Sequence, residues 1–561
     1  MAGSRKQTPD GMGDRLFAGM AAERRVLREL EAVFEAAGYR QVRTPGLEYL
    51  SVFESKAAYF PEEELYKLAD AGGRLLAVRP DNTIPVVRLA ATKLQGGGLP
   101  LKLYYEQNVF RRQPEHRGRH TETMQAGVEC IGEAGFASDV EIIELAARSL
   151  AASYAGQFRI EIGHVGLYKE LVRRLGLDEA ARERIHSYVT SKNYAALEEA
   201  LDDAADREAG ALLLKLPGLF GAGEALDEAQ ALFAGAGEEI GQMLRYLKQV
   251  TSELSARGFG DQVMLDLGLV NQAEYYSSLV FRGYGESAGE PLLSGGRYDT
   301  LFRDFGEDLP ATGFGINVDL LTEAALRAEE QGAGPAGSGE GDAGTRAEAK
   351  PKPLRVALTK GRLEKDFSDL MERAGYDVSP LREKGRRLLM PIPGAGIEIF
   401  LAKAPDVVTY VEHGVCDIGI VGKDTMLEQG GTYYEIMDLG IGGCRFALAA
   451  PKGSRVLCGE APTSVATKYP EFAARHFERL GLDVRIIRID GSVEIAPLLG
   501  LADAIVDIVE TGTTLKENGL EVAGTIREIS ARLIVNVTGM KLRKAEIEAF
   551  AARLKAAGEN G

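Results

Sequence analysis

The segment Gln331 to Pro353, QGAGPAGSGEGDAGTRAEAKPKP, constrains this chain more than any other. Its 23 positions contain no Leu, Ile, Val, Phe or Met, so it cannot bury enough apolar surface to offset the entropy of ordering it. It reads as a flexible tether with a root-mean-square reach of about 25 Å. A 561-residue chain divided there is expected to fold as two separately cored halves, 1–329 and 354–558, joined by a linker at 330–353.

The two halves carry different patterns. In the first, Val26, Leu27, Leu30, Val33 and Phe34 fall on one helical face, with Gly38 as a stop. From about Leu171 to Ala256 the pattern is almost wholly helical, before β-type runs resume at Gln262–Leu269 and Tyr275–Phe281. This predicts a mixed-sheet domain with a helical insertion. In the second half, LRVAL, IEIFLA, CDIGIVG, RFALAA, VRIIRI and AIVDIV alternate with helical stretches such as Lys365–Ala374 and Pro470–Leu480, which predicts a two-lobed α/β protein with parallel strands. Lobe I is expected at about 354–445 plus 533–558, and lobe II at 446–532.

Charge and composition narrow the function. Lys plus Arg total 66 against 83 Asp plus Glu, a net charge of −17, which opposes a broad basic surface for nucleic acid. No apolar run approaches the ~20 residues of a bilayer span, and the opening MAGSRKQTPDGMGD lacks the apolar core of a signal peptide, so a cytoplasmic protein is expected. Cys130, Cys416, Cys444 and Cys458 lack metal or disulfide spacing and read as buried reduced thiols. His116 and His120 stand four apart without a third ligand. No histidine is assigned a catalytic role.

One string in the second half suggests chemistry directly. The apolar run Ala504–Val509, broken by Asp507, delivers Glu510-Thr511-Gly512-Thr513-Thr514 just before a helix-forming Leu-Lys-Glu-Asn. This suits a phosphate cradle, because Gly512 admits close approach, hydroxyls donate and a helix start favours an anion. A plain N-capped turn is the structural alternative.

Ordered motifs in the first half are RPDNT (Arg79–Thr83), YYEQNVFRRQPEHRGRHTETMQAGVECIG (Tyr104–Gly132), EYY (Glu274–Tyr276), GGRYD (Gly295–Asp299) and GFGINVDLL (Gly313–Leu321). Together they resemble the catalytic domain of class II histidyl-tRNA synthetases over roughly Gly11 to Ala325. The resemblance implies a histidine pocket in which Asp81, Thr83 and Glu129 face the ammonium or ring, Arg111 and Gln125 the carboxylate, and Tyr275 and Tyr276 the imidazole. The pattern departs from the synthetases where adenylation needs it. Asn271 stands for an Arg before the tyrosine pair, Leu320 for the phosphate-binding Arg, Gln113 for a Glu and Thr121 for a second Arg, and no anticodon-binding domain follows. It is therefore similar to the regulatory subunit of ATP phosphoribosyltransferase.

In the second half, LTKGRLEKDFSDLMERAGYD, AKAPDVVTYVEHGVCDIGIVGKD, VATKYPEFAARHF and DGSVEIAPLLGLADAIVDIVETGTTL resemble the short form of ATP phosphoribosyltransferase over about Leu354 to Ala557. The fold class implied is multidomain α/β and α+β: a synthetase-like antiparallel sheet domain with a helical insertion, linked to a two-lobed, periplasmic-binding-protein-like transferase. The reaction implied joins N1 of ATP to C1 of phosphoribosyl pyrophosphate and releases pyrophosphate, the first step of histidine biosynthesis, with Mg²⁺ on the pyrophosphate. Thr511 to Thr514 would hold the 5′-phosphate with Glu510 in the same cradle, and Asp507 and Glu494 would engage the ribose hydroxyls. Lys360, Arg362, Arg386 and Lys403 would serve the polyphosphates. The metal ligands are not identified. Histidine would act as feedback inhibitor through the first half, and a symmetric homo-oligomer is the expected assembly. The alternatives are a synthetase paralogue with aminoacyl-ligase activity and a non-enzymatic solute-binding protein.

Overall fold

The computed structural model describes residues 8–54, 60, 64–113, 120–190, 194–201, 206–270, 275–286, 288–330, 352–454, 463–510 and 512–559. Asn271, Glu274, Thr511, His116, Cys458 and positions 331–351 of the tether lie outside the described residues. By internal contacts the chain divides into one unit over 1–345 and another over 346–561.

The first unit is built on a sheet whose strands run, among the described residues, in the order Arg40–Gln41, Leu101–Phe110, Glu122–Ile131, Ala311–Asn317, Leu293–Arg297, Leu279–Gly285, Phe158–His164, Val263–Asp266, Phe220–Gly221. Its central pairs are antiparallel, while Arg40–Gln41 runs parallel to Leu101–Phe110 and Val263–Asp266 parallel to Phe158–His164. Both faces are covered, because side chains on a strand alternate. Tyr104, Ala126 and Val128 face the helices Phe17–Ala36, Phe136–Ser153 and Val318–Glu330, where Val26, Leu30 and Phe34 pack. Tyr105, Leu103 and Ile131 face a second core with Ile84, Val87, Tyr275 and Tyr276. The helix Phe17–Ala36 is followed by Gly38 at φ +84°, a left-handed turn that glycine adopts at little cost.

Two expectations are corrected here. The helical insertion is interrupted by the short strand Phe220–Gly221, which extends the sheet by pairing with Val263–Asp266. Tyr275 and Tyr276 stand in the turn before the strand Leu279–Gly285 instead of within it, because the apolar run that forms the strand begins only at Leu279.

The second unit has two sheets. One orders Leu389–Ile392, Ile397–Ala402, Leu354–Thr359, Ile418–Gly422, Ala531–Val535 and Tyr434–Asp438, and the other Val484–Arg488, Thr463–Thr467, Ala504–Val509, Cys444–Pro451 and Leu520–Ile529. The expectation of parallel strands holds for Ile397–Ala402, Leu354–Thr359 and Ile418–Gly422 in the middle of the first sheet, and for Val484–Arg488, Thr463–Thr467 and Ala504–Val509 from one edge of the second. Leu389–Ile392, Ala531–Val535 and Tyr434–Asp438 in the first, and Cys444–Pro451 and Leu520–Ile529 in the second, pair antiparallel. Each segment that changes lobe enters the new sheet reversed, so no helical crossover is needed to pair it. The strands put these changes near 439–443 and 530, about two residues before the expected boundaries.

Arg543, paired with Asp417 at 3.0 Å, donates to the carbonyls of Lys352 (2.8 Å) and Pro353 (3.1 Å), where the chain enters this unit. No described helix is long and apolar enough to cross a membrane. Cys130 and Cys416 are buried as expected, whereas Cys444 is only half-buried, because it starts its strand at the cleft between the lobes.

Candidate functional sites

In the first unit, the candidate effector residues converge on one face of the sheet. Antiparallel register sets Leu103 opposite Glu129, Tyr105 opposite Gly127 and Gln107 opposite Gln125, with Gly313 and Gly315 beyond Glu129 and Gly127. The glycines make the hollow. A Cβ at Gly313 would overlap the Glu129 carboxylate, and one at Gly296 would stand 2.7 Å from the Tyr276 ring.

Glu129 is 1 % exposed. Its Oε2 accepts from the Tyr298 hydroxyl, while its Oε1 is buried without a hydrogen-bond partner. Burial pushes the Glu129 carboxyl up to about 8, and the nearby Asp81 charge adds to this. Asp81, also buried, has its carboxyl raised by burial, opposed by Arg111 at 3.8 Å and the Ile84 N–H at 3.1 Å. Two buried carboxyls without full compensation are costly unless a cation joins them.

The walls are aromatic. The Tyr275 and Tyr276 rings lie 4.7 Å apart, and Tyr298 meets Tyr275 edge-on at 5.8 Å. Burial holds the Tyr105, Tyr275 and Tyr298 hydroxyls well above their ordinary value, so they remain neutral hydrogen-bonding groups. Thr83, at the start of the helix Thr83–Lys93, lies beside Tyr105 and Glu129. Arg111 donates to the Pro80 carbonyl at 2.8 Å and stacks over Phe60.

Sequence reasoning missed a polar layer beneath the pocket. Asn82 donates to Gln125 Oε1 (2.8 Å), Gln107 Nε2 donates to Asn82 Oδ1 (3.1 Å), and Arg79 donates to Gln107 Oε1 (3.0 Å). Asn82, Gln107, Tyr105 and Tyr298 all stand inside the quoted motifs. The available signal was the run of three consecutive polar residues, Glu106-Gln107-Asn108, inside the strand Leu101–Phe110.

The adenylation positions read differently. Leu320, near the start of the helix Val318–Glu330, packs against the apolar core and carries no charge that could hold a phosphate. His120 is exposed and 3.8 Å from Glu323. No group of three or more His, Cys, Asp or Glu suited to a metal occurs among the described residues.

In the second unit, the strands Leu354–Thr359 and Ile397–Ala402 run in parallel register and end together, delivering Lys360 and Lys403 to the same edge. Lys360 N–H donates to the Ala402 carbonyl at 2.9 Å. Arg386 precedes the antiparallel strand Leu389–Ile392, whose start pairs with the end of Ile397–Ala402, so it reaches that edge too. Arg362 opens the helix Arg362–Arg373, after Gly361 at φ +98°. Across the cleft, the strand Ala504–Val509 leads through Glu510 and a left-handed Gly512 (φ +76°) into the helix Thr513–Glu517. Arg362 donates to Glu510 from the opposite lobe. Asp507 is pushed up to about 6 by burial and by the neighbouring Glu494. The two lobes also meet where Glu428 accepts from the N–H groups of Glu471 (3.3 Å) and Phe472 (3.0 Å).

Cations gathered at strand ends of one lobe, facing Glu510, Gly512 and an acidic pair on the other, form an arrangement suited to phosphorylated substrates. The histidyl-tRNA synthetase family model matches residues 11–321, and the ATP phosphoribosyltransferase model matches residues 403–556. An ATP phosphoribosyltransferase of Clostridium kluyveri is 56% identical over 197 residues, 35% of this chain and 90% of the relative. An ATP phosphoribosyltransferase regulatory subunit of Clostridium acetobutylicum is 35% identical over 327 residues, 58% of this chain and 80% of the relative. Among solved structures, an ATP phosphoribosyltransferase regulatory subunit/histidyl-tRNA synthetase from Bacillus halodurans superposes with a TM-score of 0.52 at 28% identity, covering 71% of this chain and 93% of that one.

The chain belongs to the ATP phosphoribosyltransferase family, with a synthetase-like regulatory domain and the transferase in one polypeptide. It is an enzyme of histidine biosynthesis, and the aminoacyl-ligase alternative is not favoured.

Proposed function

We propose that the hollow in the first unit is a histidine sensor that inhibits the transferase. The observation that carries this reading is the buried, unpartnered Oε1 of Glu129 beside Asp81. An ammonium entering there supplies the missing donor and favours the charged form of both carboxyls. Arg111 and Gln125 then meet the amino-acid carboxylate, Thr83 supports the ammonium end, and Tyr275 and Tyr276 receive the imidazole.

In the second unit, Lys360, Arg386 and Lys403 draw in the polyphosphates of ATP and phosphoribosyl pyrophosphate, joined by Arg362. Gly512, Thr513 and Thr514, with Thr511, hold the 5′-phosphate, and Asp507 and Glu494 accept from the ribose hydroxyls. Catalysis of this kind consists of aligning adenine N1 behind C1 and neutralising the departing pyrophosphate. Mg²⁺ travels as part of the pyrophosphate substrate; the described residues gather no protein cage of three ligands for it, and no step is assigned to it. The same reading has the enzyme working in the cytoplasm as a symmetric homo-oligomer.

Calorimetric titration with histidine tests the sensor. Glu129→Ala should weaken histidine binding by about tenfold or more and shift the inhibition curve by the same factor. Unchanged affinity in the folded variant moves the effector site elsewhere.

A further inference from the structure

Glu510 stands in the turn that would receive a phosphate, and it is negatively charged. A second anion beside it meets repulsion unless a cation is shared between them. The Glu510 carboxylate instead accepts from Arg362 of the other lobe, a residue 148 positions away in sequence. Both side chains keep about half their surface in solvent (52% and 55%), so the pair sits at the mouth of the cleft. Among the described residues, Asp366 at 3.7 Å is the one further carboxylate partner of Arg362.

The ribose acceptors are already present without Glu510. Glu494 lies close enough to Asp507 to raise its carboxyl, and Asp507 sits further back on the same strand, half-buried, while Glu510 lies beyond the strand's end. The geometry points to Glu510 as a positioning and selectivity residue, an internal counter-ion that holds Arg362 across the cleft until the diphosphate of the substrate takes its place. This rests on the reading of Arg362 as a polyphosphate cation. The diphosphate of the substrate reaches the guanidinium with more charge than one carboxylate carries, whereas a sugar monophosphate seated in the cradle has no second anion to offer it. Glu510 therefore biases the site against sugar monophosphates that otherwise fit the cradle.

Steady-state kinetics on the full-length enzyme separate the possibilities. In Glu510→Gln the KM for phosphoribosyl pyrophosphate should fall about two- to fivefold, kcat should change less, and inhibition by ribose 5-phosphate should strengthen more than inhibition by pyrophosphate. Glu510→Ser, which keeps a small polar side chain at this exposed position, should behave alike and guards against one misfolded variant. A rise in KM in both variants makes Glu510 a substrate ligand and overturns the proposal, as does an unchanged KM. Arg362→Ala should raise KM, and adding Glu510→Gln to it should have no further effect. If Arg362→Ala leaves KM unchanged, the assignment of Arg362 itself fails. If it raises KM while Glu510→Gln still lowers KM in the double variant, only the counter-ion role fails.

Discussion

At neutral pH the Glu129 carboxyl still carries much of its proton, because burial holds it near 8. A cation binds best to the ionised form, so on the proposed reading histidine binding expels that proton. Affinity should therefore rise between pH 7 and 8, with up to about one proton released per histidine, measured by calorimetry in buffers of different ionisation heat. In Glu129→Gln this slope should vanish. Much of the pocket was legible in sequence because Asp81, Thr83, Arg111, Gln125 and Glu129 carry polar chemistry in ordered motifs. Tyr105 and Tyr298 were not, since an aromatic residue in a strand looks the same whether it fills a core or lines a hollow. What separates the two is the glycine opposite: Gly127 faces Tyr105, and Gly313 faces Glu129.

Elements, too, carry charge that only their packing brings together. The helix Phe17–Ala36 ends with Glu31 and Glu35 one turn apart and no basic residue in its last turn, an arrangement the helix dipole disfavours. The strand Leu101–Phe110 sets Glu106 against them, and burial with these two carboxylates pushes Glu106 up to about 7. The Tyr104 hydroxyl donates to Glu31 and Glu35 at 3.4 and 3.3 Å. A carboxyl whose folded value is raised binds its proton more tightly when folded. Stability therefore declines as pH climbs from the ordinary 4.5 through about 7, and the full penalty applies above that. Glu106→Gln should raise the melting temperature of the first unit by about 2 °C at pH 8, a difference that disappears by pH 5 in scanning calorimetry. The helices and strands themselves follow from apolar periodicity, as Val26, Leu30 and Phe34 on one face illustrate. The reversed strands of the second unit do not, because an apolar run such as Cys444–Pro451 carries no mark of its direction in a sheet.

Over the whole molecule, the proposed function parts recognition from reaction. The synthetase-like unit holds the hollow proposed for histidine, and the half-buried Leu320 packs against its core. Histidine-dependent exchange of pyrophosphate into ATP should therefore be absent when no phosphoribosyl pyrophosphate is supplied, and clear exchange would overturn the regulatory reading. If effector and substrates use the separate sites proposed above, their coupling is reciprocal. Saturating phosphoribosyl pyrophosphate should weaken histidine binding by the factor, about 5- to 150-fold for typical couplings, by which histidine weakens substrate binding. The pairing of Arg362 with Glu510 was beyond sequence reasoning, since two exposed charges 148 positions apart meet only through the order of the strands.

The grip of Arg543 on the Lys352 and Pro353 carbonyls has a consequence for how the second unit is bounded. The residue that opens the terminal helix Lys544–Glu559 pins the strand Leu354–Thr359 at its entry, so the beginning and the closing segment of the transferase are fastened to each other within it. The hydrogen bonds that fasten this boundary are therefore made within the unit itself, by Arg543 and the backbone at Lys352 and Pro353.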